Sequence, residues 1–461
     1  MSNSYEFITD SPLDCRQSYT YTQYLGQPYF NEWQRSRLCI IKYADKQAFS
    51  NSFKNEIESV GKFQAGDIVT TKNCLEQLLS TPTERDQAKW LDFFIQRFEV
   101  SKRLFDQYAL TENRPKSVGG YTDQELYLLF AELLVQRVSV DLYFPAVNAL
   151  LKAVDTLLGL ESQLSESQRS RLSAVVSSEF EVVKRVADGE VTSSDSTSLH
   201  SQPAEAKKSL QKFDLTHTTF IAADTVRTRA YALALKNKGY RFDSIIFLKA
   251  TKPKWGQANE LPTLVKPIEC GVFSTDLNID LEELLNELSD NVRSVTTDTI
   301  NCGDVKELLS ELLSTFIVFS GYGGEIVDVR GLAPDTPMLH IHSGYLPHFR
   351  GSTTVYYSIL EDNSCGASAI ILEPAIDEGV ILHKKKFTVP ANGEEIDYYY
   401  DSFIRADVLV ETLQTLSSSP GEIRVEPQHP EHGVSYYIIH PVLKHLSIMK
   451  VNGIVPILTP V

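Results

Sequence analysis

In the first part of the chain, apolar positions recur at spacings of three and four, the period of amphipathic helices. Between Glu84 and about Ala109, the residues Trp90, Phe93, Phe94, Ile95, Phe98 and Leu104 form such a stripe, and its aromatic side chains read as core. The residues before it are mixed, and Tyr5, Tyr19, Tyr21, Tyr24 and Tyr29 make them aromatic-rich, which again points to packing. Thr122 with Glu125 has the form of a capping box and opens a second helix. A third helix is expected from Ala146 to Leu158, closed by Gly159. Ser165 with Gln168 opens a fourth, which Gly189 should stop. Four helices joined by short connections predict an all-α bundle over residues 1–187.

Residues 188–212 are poor in large apolar side chains and rich in Ser and Thr, the composition of a solvated linker. The rhythm then changes. Residues 216–224 (THTTFIAAD) and 243–250 (DSIIFLKA) read as strands on either side of a helix over 225–239. Strand, helix and strand in so short a span predict a βαβ unit, hence a parallel sheet with a right-handed crossover. Short helices are expected at Leu281–Leu288 and Val305–Leu313, followed by an apolar strand running into a glycine-rich turn, FIVFSGYGG over 316–324. After a unit spanning Met338 to Phe387 come a helix over Ser402–Leu416 and a β-rich tail ending in YYIIHPVLKHLSIMKV. The expected organisation is a mainly helical domain (1–187), a linker (188–212), an α/β parallel-sheet domain (213–390) and a small α+β extension (391–461).

Composition narrows the function. A net charge of −16 argues against a general nucleic-acid binder, because phosphate neutralisation needs clustered Lys and Arg. Six scattered cysteines show no zinc spacing and read as reduced thiols. Neither a signal peptide nor a bilayer-spanning run is apparent, so a cytoplasmic protein with no membrane partner is expected. Homo-oligomerisation stays open.

Chemistry concentrates in the Met338–Phe387 unit. His340, His342 and His348 fall within nine residues, closed by Pro347, Arg350 and Gly351, and Asp377 and Gly379 lie in a turn past the next strand. Imidazoles at one strand end and a later carboxylate can converge on one site. A His-x-His pair is also a common zinc arrangement, since alternate residues of an extended segment project to the same side. A metal-dependent hydrolase is therefore one reading, and a non-catalytic binding or scaffold module another. Lys384–Lys386 read as a solvated strand edge, and His440 and His445 as packing residues.

These residues resemble a known family, the folate-dependent formyltransferases, whose signature reads Asn-x-His-Pro-Ser-x-Leu-Pro-x-x-x-Gly with a Leu-Asp-x-Gly turn about thirty residues on. The matching stretch is His340-Ile341-His342-Ser343-Gly344-Tyr345-Leu346-Pro347-His348-Phe349-Arg350-Gly351, and later Ile376-Asp377-Glu378-Gly379. Upstream, Ser320-Gly321-Tyr322-Gly323-Gly324 looks like the turn that lines the pterin pocket. The resemblance covers residues 214–390 and implies a Rossmann-like sheet. It implies formyl transfer from 10-formyltetrahydrofolate to an amine, with His342 and Asp377 as catalytic residues. His340, which stands where the family has asparagine, is a third. Tyr322, Gly323, Gly324, Glu325, Leu346, Gly351 and Ile376 are the implied cofactor-binding residues, and no metal is implied. Ser343-Gly344 replaces the usual Pro-Ser.

The segment from Ala391 to Val461 carries four Lys/Arg against nine Asp/Glu, unlike the basic barrel that methionyl-tRNA enzymes append. A small-molecule acceptor, an amino sugar nucleotide or an amino-acid-derived intermediate, is expected instead.

Overall fold

A computed structural model describes residues 5–9, 95, 124–190, 208–252, 254, 275–393, 396–429, 433–454 and 456–460. The aromatic stripe over 84–109 lies outside these apart from Ile95, as do Thr122 and residues 191–207 of the expected linker. The described residues fall into two compact units, one holding those up to Glu190 together with those from Tyr437 onward, the other running from Lys208 to Tyr436.

The first unit holds a short antiparallel pair, β1 (Tyr5–Thr9) with β13 (Pro456–Pro460), and helices α1 (Gln124–Val140), α2 (Phe144–Gly159), α3 (Glu166–Ala187) and α10 (Pro441–Val451). α2 is buried along nearly its whole length, which makes it the core element. α3 opens on the expected capping box: Ser165 Oγ accepts from Gln168 N, and Gln168 Oε1 accepts from Ser165 N. It ends just before Gly189, whose φ of 74° closes the turn. Arg171 ties α3 to α1 through Glu125 and Glu132, both at 2.6 Å.

The tail corrects the sequence reading. It forms α10 where β structure was expected. His440 caps that helix through Nδ1 and Pro441 occupies its first turn. Val442, Leu443, Leu446 and Met449 are buried at helical spacing; the β-branched and aromatic YYII run just before them had set the expectation. His440 is buried against Asp155 at 2.8 Å, and His445 is half-buried.

The second unit is a mixed α/β sheet of Rossmann-like build. Its first strand in sequence, β2 (Ser209–Lys212), pairs with β11 (Glu422–Val425) outside the main sheet. The main sheet then begins with β3 (Thr218–Ala223), α4 (Val226–Asn237) and β4 (Ser244–Lys249), the expected βαβ unit. Thr225 caps α4 and Gly239, at φ 73°, ends it. α5 (Leu281–Leu288), β5 (Val292–Thr296), α6 (Gly303–Glu311), β6 (Phe316–Ser320), the short helix α7 (Val329–Leu332) and β7 (Met338–His342) follow. After them come β8 (Phe349–Gly351), α8 (Thr354–Asp362), β9 (Ser364–Ile371), β10 (Ile381–Thr388), α9 (Asp401–Ser418) and β12 (Val434–Tyr436).

The seven strands lie in the order β10-β9-β7-β6-β3-β4-β5. β3 to β7 are mutually parallel, and β9 and β10 continue the sheet antiparallel. The chain proceeds from β3 outward through β4 to β5, then returns to lay β6 on the other side of β3. That reversal opens a crevice at the carboxyl ends of β3 and β6, where ligands bind in sheets of this kind. α9 packs beside α4 and across β7, β9 and β10. Two of its acidic residues, Asp407 and Glu411, bond Lys385 on β10, while Lys384 bonds Glu426 just past β11. Those lysines form paired contacts, where the sequence had suggested a solvated edge.

Candidate active site

β7 is apolar apart from its two imidazoles. Their spacing of two sends both to the same face of the strand. Pairing with β6 stops at Phe319 opposite His340, so His342 stands at the carboxyl end of the parallel ladder. Asp377 lies in the turn between β9 and β10 with φ at 56°, a left-handed conformation that its surroundings must hold. Thirty-five residues apart, the two side chains meet: His342 Nδ1 lies 3.3 Å from Asp377 Oδ1, with both side chains nearly buried.

The hydrogen bonds around the pair fix its proton inventory. His342 Nε2 is 2.7 Å from the Phe349 carbonyl oxygen, which can only accept, so Nε2 carries a proton. Nδ1 is then the nitrogen that faces the carboxylate. Asp377 Oδ2 accepts from Gly351 N at 2.8 Å. Burial by itself would push the Asp377 carboxyl up. The charge and hydrogen bond of His342 and the Gly351 N–H outweigh it and hold the group down at about 2.

The two departures from the formyltransferase signature fit this geometry. A side chain on Gly344 would come within 2.6 Å of Phe349 O and 2.8 Å of His342 Nε2, so only glycine allows the turn to close over that hydrogen bond. Ser343 Oγ donates to Asp401 at the start of α9. Ser368 completes the turn, accepting from Leu346 N at 3.0 Å and donating to Gly344 O at 2.7 Å.

His340 is the accessible member of the set. No hydrogen bond reaches its ring among the described residues, and its Nδ1 is buried without a partner. Burial first, then the charges of Arg405 and Arg227, push its titration well below the ordinary histidine range. The ring is therefore neutral at physiological pH, presenting one N–H and one lone pair. A group held down in the folded state destabilises as pH falls below its unfolded value, because the unfolded chain binds the proton first. His340→Asn should remove that sag. From pH 7 to pH 5 the stability of the wild type should fall faster than that of the variant, by at most about 1.4 kcal/mol per pH unit. Parallel denaturation curves at the two pH values measure this, and equal slopes would contradict a buried neutral ring.

Three residues that the sequence reading did not single out hold the site together. Arg405 on α9 is nearly buried and donates twice to Ile341 O between the two histidines, at 3.0 and 2.6 Å, while pairing with Asp401 at 3.1 Å. Arg227 in the first turn of α4 donates to Gly321 O and to Ser320 Oγ at the end of β6. Gln428 Nε2 donates to the backbone oxygens of Asp377 and Gly379, at 2.9 and 2.6 Å, and its Oε1 accepts from the buried guanidinium of Arg350. Gln428 and Arg350 thus brace the left-handed turn. The one available signal was that Arg405 interrupts an apolar helical stretch.

The remaining residues implied by the resemblance are dispersed. Tyr322 is in the core with its hydroxyl donating to Leu248 O at 2.9 Å. Gly323 and Gly324 follow in the same turn, with Gly324 at φ 75°. Glu325 accepts from Ile300 N at 2.6 Å, and its Oε2 is buried without a partner; burial pushes the carboxyl up. Leu346 is fully buried beside Ile370 and Ile381. Gly351, at φ 94°, lies so close to the Tyr436 carbonyl that no side chain fits. Ile376 is exposed beside Asp377. His348 is half-buried and stacked on Tyr345.

His340, His342 and Asp377 bring ligand atoms within 4.8 Å of one another, close enough for a metal ion. The set suits one poorly. His342 uses Nε2 on a carbonyl, and the guanidinium groups of Arg405 and Arg227 lie within charge range of His340 and oppose a dication.

No protein-family model matches the chain. Over 90 residues it is 33% identical to the methionyl-tRNA formyltransferase of Finegoldia magna, covering 19% of this chain and 29% of that protein. Over 147 residues it is 25% identical to the methionyl-tRNA formyltransferase of Enterococcus faecalis, covering 31% and 46%. The chain thus spans less than half the length of these curated relatives. Among solved structures it is similar to the N-formyltransferase of Helicobacter canadensis, in complex with folinic acid and dTDP-3-aminofucose. The identity is 12% and the TM-score 0.34, over 51% of this chain and 81% of that one, an overlap too low to bear on function. The sequence match is to the folate-dependent formyltransferase superfamily at large and to no single family within it.

Proposed function

We propose that the sheet unit transfers a formyl group from 10-formyltetrahydrofolate to the amine of a small-molecule acceptor. The observation that carries this reading is the buried His342–Asp377 pair at a parallel strand end, with the unpartnered ring of His340 beside it. The residues fit a folate. Glu325, on the turn that resembles the pterin-lining one, has a buried oxygen lacking a hydrogen bond, which the amino group of a pteridine would supply. Tyr322, Gly323, Gly324, Glu325, Leu346, Gly351 and Ile376 remain the proposed cofactor-binding residues, Leu346 and Gly351 acting through the shape of the turns they close.

Bound there, 10-formyltetrahydrofolate would supply the electrophilic formyl carbon. His340 offers a neutral ring N–H to an oxygen that gains charge, and such preplaced donors are worth roughly 10²–10³ in rate. Asp377 takes the proton that the amine must lose. A carboxylate held at about 2 is a weak base, so it passes the proton on to the folate nitrogen that leaves, while its contact with His342 keeps it aimed. Gly351 N and the Gln428 brace keep the carboxylate aimed. The near-complete burial of His342 excludes water from the exchange.

The acceptor is proposed to be small, because the chain is acidic and its last segment carries an excess of carboxylates. No helix among the described residues is long and apolar enough to cross a membrane.

The test is a thermal-shift series with reduced folates, then tetrahydrofolate release from 10-formyltetrahydrofolate in the presence of an amine panel, with and without EDTA. A ligand at a hundred times its Kd should add about 2.7 kcal/mol to stability. Turnover unaffected by EDTA is expected. Folate binding without turnover would favour a binding module, loss of turnover on chelation would favour the metal reading, and no folate binding at all sinks the proposal.

A further inference from the structure

The crevice beside β6 and β7 holds a guanidinium that bonds no carboxylate among the described residues. Arg405 is matched by Asp401 at 3.1 Å. Arg227 makes no ion pair among the described residues. Its guanidinium bonds only neutral groups, the Gly321 carbonyl and the Ser320 hydroxyl. Burial and the like charge of Arg405 hold Arg227 down at about 10, against a weaker attraction from Asp401, whose carboxylate Arg405 and Ser343 already engage. Asp377 is committed elsewhere, to His342 and to the Gly351 N–H. A largely desolvated cation without a direct ion pair is unfavourable in the free protein. The fold nevertheless anchors it twice, at the switch-point crevice and one strand away from His340. Arg227 also keeps part of its surface open.

We propose that Arg227 is the anchor for an anionic group, a carboxylate or a phosphate, carried by the acceptor. That the anion belongs to the acceptor rests on the formyl-transfer reading; the anion site itself does not. A guanidinium already oriented by two hydrogen bonds loses little freedom on binding and presents its remaining N–H groups as a fork that matches two oxygens of a carboxylate or phosphate. Its place beside the reactive histidine sets the specificity that follows. Amines bearing an acidic group are held with the nitrogen near His340, whereas neutral and cationic amines lack the anchor.

Full-length protein titrated with inorganic phosphate and with acetate, with and without 5-formyltetrahydrofolate, tests this by calorimetry. Saturable binding to the wild type is expected, weaker by about tenfold or more in Arg227→Gln and within about threefold of wild type in Arg227→Lys. Preference for phosphate points to a phosphorylated acceptor, and preference for acetate to a carboxylate one. Should the glutamine variant fail to fold, the Nε–H resonance of Arg227 in the wild type reads the same contact, and a shift on adding either anion is expected. Absence of saturable binding, equal binding by the glutamine variant, or an unmoved Arg227 resonance overturns the proposal. Anion binding without folate binding would remove the formyl-transfer reading and keep this site. Folate binding without anion binding would do the reverse.

Discussion

Asp377→Asn is expected to lower kcat for formyl transfer by roughly 10²–10⁴ while the protein stays folded. Asparagine keeps an oxygen for Gly351 N but cannot accept a proton, and its amide side cannot stabilise a charged imidazole on His342 Nδ1. The loss should therefore appear in kcat and kcat/KM together, with reduced-folate binding little changed. Stability gives an independent readout. The Asp377 carboxyl is depressed to about 2 in the folded protein against an ordinary value of 3.8, so its contribution is present above 3.8 and is lost as pH falls through about 2. The shift corresponds to about 2 kcal/mol at neutral pH. The stability gap between wild type and Asp377→Asn should accordingly narrow as pH is lowered from 5 to 2. A variant with near-normal turnover and no such convergence would show that the pair is only a structural hydrogen bond. His342→Ala should match the activity loss, and the double substitution should add little to either single one, because the two act as a unit.

The parallel sheet was legible because its strands are short apolar runs and its first crossover carries its own punctuation: Thr225 at the start of α4 and Gly239 past its end. β5 was not legible. It is an edge strand with only Val295 buried, so VRSVT shows neither an apolar run nor a clean alternation. The tail misled because YYII has strand propensity, whereas the helix after it is specified by a cap and by burial, and tertiary packing decided. At the site, the two imidazoles at a strand end and the carboxylate past the next strand already suggested convergence, and the resemblance assigned roles to His340, His342 and Asp377. Arg227, Arg405 and Gln428 reach the same place from three other segments. Beyond the interruption that Arg405 makes in an apolar helical stretch, their local sequence does not record that, since their partners are mostly backbone oxygens, which every residue has.

Arg405→Met tests how far that hidden scaffold holds the site. The guanidinium satisfies Ile341 O twice, pairs with Asp401 and lies against Tyr231. Methionine fills much of the same volume but leaves Asp401 nearly buried with Ser343 as its remaining partner, and leaves Ile341 O without its donors. Removing one member of a buried pair typically costs about 3–5 kcal/mol, and a loss of that size in chemical denaturation with an unchanged m-value is expected. Arg405→Met combined with Asp401→Leu should recover much of it, because the uncompensated charge goes as well. The chemistry should move in step. With Arg405 gone, the repulsion that helps hold His340 down is reduced, so its titration moves upward and the acid limb of activity shifts toward neutral pH. Arg227 loses the same repulsion and should bind an anion less tightly, since the combined positive field has weakened. A loss below about 1 kcal/mol, the range of exposed pairs, would mean that water reaches Asp401 and that β7 is positioned by something other than this arginine.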